Sequence, residues 1–74
     1  MYSYKEKRAA ALAENATAKD RLALFSWMEN YAMSEWNGEC FDIDEGLSLY
    51  PVHRFTYDED GEIEKVEVID AEIK

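Results

Sequence analysis

Residues 17–36, TAKDRLALFSWMENYAMSEW, decide the fold. Wound at about 100° per residue, they bring Leu24, Phe25, Met28, Tyr31, Ala32 and Trp36 to one side, with Lys19, Ser26, Asn30 and Ser34 opposite. That division predicts an amphipathic helix with one face against a core. Thr17 is placed to cap its N-terminus with Asp20 three residues on, and Asn37-Gly38 offers a left-handed stop. Both tryptophans, Trp27 and Trp36, lie in this stretch, with Trp27 at the border of the apolar arc.

Toward the N-terminus, Ser3-Tyr4-Lys5-Glu6 has the form of a capping box and an alanine-rich run follows it to Ala13. A first helix over about residues 4–14 is predicted. Its apolar side, mostly alanine with Leu12, buries little area but permits close approach of another helix. Asn15 and Thr17 mark a break; one long bent helix is the alternative that propensity leaves open.

Toward the C-terminus the period falls from that of a helix to that of a strand. Residues 39–44 alternate, with Phe41 and Ile43 on one side and Cys40, Asp42 and Asp44 on the other, and Glu45-Gly46 turns the chain. Over residues 47–57, Leu47, Leu49, His53, Phe55 and Tyr57 share a face. Pro51, lacking an N–H, makes this strand an edge or bulges it there. Asp58-Glu59-Asp60-Gly61 is a hairpin turn, with Gly61 supplying positive φ. In residues 62–73 the apolar positions change parity, from Ile63 to Val66 and Val68 and then to Ile69 and Ile73. That predicts a bulge near Glu64-Lys65, or a strand covered on both faces. The chain therefore reads as one α+β domain, residues 1–74. Two N-terminal helices pack on a three-stranded antiparallel sheet, a meander ending in a C-terminal hairpin.

A domain of 74 residues buries only about 60% of its unfolded surface, so a staple or a partner would help it. A lone cysteine, Cys40, makes no internal disulfide and suits a reducing compartment. No apolar run approaches the roughly 18 residues of a membrane span, and no signal-peptide pattern is present. The sequon Asn15-Ala16-Thr17 then reads as chance. A soluble, cytoplasmic protein is expected, without membrane association.

The net charge of −9 is uneven. Residues 1–21 hold five basic and three acidic side chains, for +2, while residues 22–74 hold three basic and fourteen acidic, for −11. Such a field repels nucleic acid and anionic lipid and attracts basic protein surfaces. Direct nucleic-acid binding is not expected.

Catalytic chemistry finds little to work with. His53, the one histidine, sits mid-strand beside Arg54 and reads as a half-buried strand residue. Glu39 and Asp42 beside Cys40 would blunt its thiol as a nucleophile, so it reads as a small core residue. Zinc needs about four Cys/His ligands and the chain has two such residues. The acidic turns at residues 42–46 and 58–62 resemble fragments of a calcium loop but lack its 12-residue register, and read as solvated turns. No enzyme, cofactor or metal site is expected.

The hairpin acids are more informative. Glu62, Glu64, Glu67, Asp70 and Glu72, with Asp58, Glu59 and Asp60 at the tip, crowd the return strand. Alternate carboxylates on an extended strand lie about 6.6 Å apart, comparable with the phosphate step of a single nucleic-acid strand. Asp42, Asp44 and Glu45 would extend the patch. The expected partner surface is thus a row of carboxylates that imitates phosphates in the basic groove of a nucleic-acid-binding protein. The competing reading is a solvated face that keeps a small protein soluble. Aromatic residues are also in surplus for so thin a core, and Trp27, Trp36 and Tyr57 are candidate anchors beside the charge.

In size, acidity and helix-plus-hairpin layout the chain resembles small inhibitors encoded by phages and mobile elements, anti-CRISPR proteins among them. That resemblance implies occupation of a nucleic-acid-reading or PAM-reading site on a target, and transfers no individual residue. The expected function is a non-enzymatic acidic inhibitor of a nucleic-acid-binding protein, with a CRISPR effector as one target class. The alternative is a homo-oligomeric module, a homodimer for instance, pairing through its aromatic helix face.

Overall fold

The computed structural model describes residues 4–31, 36–43 and 46–74. Helices α1 (Tyr4–Leu12) and α2 (Ala18–Tyr31) precede strands β1 (Phe41–Asp42), β2 (Ser48–Tyr57) and β3 (Ile63–Ile73). The strands form one antiparallel sheet in the order β1-β2-β3. This is the expected α+β meander with two helices leading.

The start of α2 follows from its capping chemistry. The Thr17 amide donates to Asp20 Oδ2 at 3.0 Å, and the Asp20 amide donates to Thr17 Oγ1 at 3.4 Å. Two amides that the helix leaves without partners are satisfied in this reciprocal way. The chain between the helices turns at residues 13–15, with the Ala16 amide bonded to the Ala13 carbonyl at 3.0 Å, so one long bent helix is excluded.

Leu24, Phe25 and Met28 of α2 are buried, and with Ala11, Phe41, Leu49 and Ala71 they form the core. Ala11 rather than Leu12 is the buried residue of α1; its single methyl lets the helices approach closely. Phe25 meets Phe41 edge-on, with ring centres 5.1 Å apart, tying α2 to β1.

The helix does not reach Trp36, where the pattern places its end. Tyr31, the last described residue of α2, is 64% exposed, and Trp36 lies outside the helix at 52% exposed, so neither belongs to the buried face. Trp36 instead stacks on Phe41 at 5.6 Å, and Ala32 and Ser34 lie outside the described residues. Gly38 takes the expected left-handed conformation, φ +94°, and Asn37 Oδ1 accepts from the amides of Glu39 at 2.8 Å and Cys40 at 3.0 Å, so the pair leads the chain into the sheet. The strand expected over residues 39–44 shrinks to Phe41–Asp42. Cys40 is buried, against the alternation that put it opposite Phe41, while Asp44 is outside the described residues.

The hairpin carries the most informative register. Leu49 pairs with Ile73, Pro51 with Ala71, His53 with Val68, Phe55 with Val66 and Tyr57 with Ile63. Residues paired across an antiparallel ladder project to the same side. The pairing skips Ile69 between Val52 and His53, and Glu64 between Thr56 and Tyr57. Each extra residue on β3 reverses its parity, so two bulges keep Ile63, Val66, Val68, Ala71 and Ile73 on one face. The Glu64 bulge is the expected one; the parity change at Ile69 is a second bulge. Pro51 sits where β1, paired only at Ser48 and Leu49, has already ended, so the edge reading of that proline holds.

Only the near half of this face meets the helix. A 14-residue helix is about 21 Å long, whereas a 10-residue strand runs about 33 Å. Leu49, Val68, Ala71 and Ile73 lie in or against the core, whereas residues 53–66 are all exposed. His53, expected half-buried, is among them. The radius of gyration, 13.7 Å, exceeds the roughly 11 Å of a compact chain of this length, as a projecting arm requires.

Candidate functional site

The tip of the arm is built by one side chain. Asp58 Oδ1 accepts from the amides of Asp60 and Glu62, both at 2.9 Å, and the Asp58 amide donates to the Glu62 carbonyl at 2.9 Å. Gly61 takes φ +84°, which a side chain would resist, and its amide donates to the Asp58 carbonyl at 3.1 Å. The turn therefore holds Glu59, Asp60 and Glu62 outward on a defined backbone.

The expected row of evenly spaced carboxylates is interrupted. Glu62 lies in the turn and Glu64 in a bulge, so neither continues a strand alternation. Glu67 stands opposite Arg54, 4.0 Å from its guanidinium and 3.9 Å from Lys65 Nζ. Glu72 lies 3.7 Å from Lys74 Nζ, which also sits over the Tyr50 ring at 5.2 Å. These exposed pairs contribute little to stability, but they reduce the negative potential of that face.

Asp70 is withdrawn altogether. Arg21 of α2 donates to it twice, Nε to Oδ1 at 2.9 Å and Nη2 to Oδ2 at 3.1 Å, while Arg21 Nη1 also reaches the Ala16 carbonyl at 3.3 Å. The Arg21 hydrogen bonds, helped by the Ala71 amide, hold the Asp70 carboxyl below the usual carboxylate range and raise the guanidinium of Arg21. Asp70 is an anchor between helix and sheet, not a free charge.

Asp42 does not extend the patch. It pairs with Ser48, nine residues of β2 or about 30 Å from Tyr57, and its Oδ1 takes the Ser48 hydroxyl at 3.3 Å and the Cys40 thiol at 3.9 Å. Asp44 and Glu45 fall outside the described residues. Of the expected anchors, Trp27 packs between Tyr4, at 5.3 Å, and Tyr31, at 5.2 Å, and Trp36 lies on Phe41 near the base of the hairpin. Tyr57 alone adjoins the acidic tip.

What the structure does bring together is a compact surface. Residues 58–64 hold five carboxylates, Asp58, Glu59, Asp60, Glu62 and Glu64, and no cation; none of the five is in an ion pair among the described residues. Behind them lies the uncovered end of the apolar face: Phe55, Tyr57, Ile63 and Val66 are 48%, 59%, 56% and 50% exposed. Phe55, Ile63 and Val66 were not among the anchors read from sequence. Their signal is the mismatch between strand length and helix length, which a helix expected to run to residue 36 conceals.

Among the described residues no group of three or more His, Cys, Asp or Glu is arranged to hold a metal ion, and no helix is long and apolar enough to cross a membrane. A cleft of about 740 Å³ lies between the α1–α2 turn and the base of the hairpin, but Arg21 and Asp70 on its wall are committed to each other. Comparison with known proteins returns no match to any family model, curated protein or solved structure.

Proposed function

We propose that this protein is a non-enzymatic binding module that docks its acidic hairpin tip on the basic surface of a nucleic-acid-binding protein and so competes with nucleic acid. One observation carries the reading: five carboxylates within residues 58–64, in no ion pair among the described residues, border exposed Phe55, Tyr57, Ile63 and Val66. Charge steers encounter, and a desolvated apolar centre supplies affinity. The imitation of phosphates rests on charge density at the tip rather than on even spacing along β3. A CRISPR effector is the target class that the resemblance to small phage inhibitors adds.

The test is capture from host lysate with tagged protein at low salt, followed by elution at high salt. The expected result is a nucleic-acid-binding protein that is released by salt and displaced by its own nucleic acid. A variant with Asp58→Asn, Glu59→Gln, Asp60→Asn, Glu62→Gln and Glu64→Gln should lose it. Equal capture by that variant overturns the reading.

The aromatic stack of Tyr4, Trp27 and Tyr31, ending in exposed Tyr31, favours a second reading, a homo-oligomer through the helical side. It predicts a mass that falls on dilution in light scattering, insensitive to salt.

A further inference from the structure

We infer that the outer edge of β2 over residues 52–57 accepts an extended segment of the partner as an added antiparallel strand, one whose N-terminal side is a Lys/Arg run and whose paired part alternates apolar residues. The inference rests on the binding-module reading above and specifies its mode of recognition.

The sheet has two outer edges and they are not equivalent. β3 is open along its outer side, but Glu64 and Ile69 are extra residues that interrupt the spacing of its backbone groups. Bulges of this kind protect an edge from pairing. On β2 the count runs one for one from Leu49 to Tyr57. Its only neighbour on the outer side, β1, ends at Leu49, and among the described residues no other strand pairs there. Pro51 interrupts donors at the base, leaving residues 52–57, about 20 Å of regular edge.

Side chains fix what fits this edge. Phe55 and Tyr57 alternate on the exposed apolar face, so an added strand with apolar residues two apart would widen that face instead of ending it. Past Tyr57 the chain turns through Asp58, Glu59 and Asp60, so the part of an antiparallel partner that overhangs the tip is its N-terminal part, and it meets carboxylates that form no ion pair among the described residues. A cationic overhang complements them. A second copy of this chain would bring its own charge of −9 and five more acids to the same region.

The probe is a blocked, fluorescently labelled peptide KKKTVTVT, compared with KKKTPTPT, which has equal charge but cannot donate along a ladder. Anisotropy should report binding at least tenfold tighter for the valine peptide. Hydrogen exchange should slow at alternate amides of residues 52–57 and not on β3. Because the change is made in the peptide, the fold of the protein is untouched. Equal affinity of the two peptides overturns the inference while leaving charge-driven binding intact. Protection on β3, or concentration-dependent protection of residues 52–57 without peptide, overturns it in favour of another edge or a second copy. Failure of both peptides to bind counts against the strand addition and the acidic-tip reading together.

Discussion

Arg21 and Asp70, 49 residues apart in sequence, meet in a two-bonded pair at 2.9 and 3.1 Å that clamps α2 to the bulged part of β3. Asp70 follows Ile69, the residue skipped by the ladder, and its Oδ1 also accepts from the Ala71 amide at 2.7 Å. The pair therefore ties the bulge to the helix and favours the register in which Ala71 and Ile73 face the core.

The pair sets a pH dependence. Because the folded-state pKa of Asp70 is lowered, its contribution is fully present above the ordinary carboxylate value of about 3.9 and is lost as pH falls through the lowered value. Asp70→Asn should be less stable than the parent by a constant amount from pH 7 to about 4, with the gap closing below that. Urea unfolding followed by tryptophan fluorescence across this range checks it. A gap that closes near pH 6 would implicate another group.

Core and arm should respond differently to truncation. Leu24 is fully buried, and Leu24→Ala should cost about 2–5 kcal/mol, a large share of the stability of so small a domain. Phe55→Ala removes a half-exposed ring and a cross-strand contact with Val66, and should cost no more than about 1 kcal/mol. Chemical denaturation of both variants decides it. A Phe55 loss as large as that of Leu24 would mean the arm's face is covered in solution.

The Thr17 cap has a measurable share. Thr17→Ala removes the acceptor for the Asp20 amide and should destabilise by about 1 kcal/mol, whereas Thr17→Ser should retain most of it. The midpoint of urea unfolding for the three proteins is the readout. Equal midpoints would show that α2 is held by its packing alone.

The candidate site was only partly legible. The acid tip is readable from Asp58 to Gly61 because a turn is a local event, written in adjacent residues. The neutralisation of Asp70 is not readable, since its partner lies in another element. Nor is that of Glu67, whose place opposite Arg54 depends on how many residues the bulges insert. Trp36 misleads because its spacing continues the helical period, while the described helix ends at Tyr31.

What the amino-acid order alone determines here is local: the Thr17–Asp20 cap, the turn at Gly61, the element sequence, and the apolar alternation of β2. These depend on groups a few residues apart, whose geometry the backbone sets. Tertiary structure decided where the core stops, which carboxylates keep a free charge, and which apolar residues stay in water. Those outcomes depend on relative element lengths and on register across the sheet, quantities to which every residue contributes and no single stretch encodes.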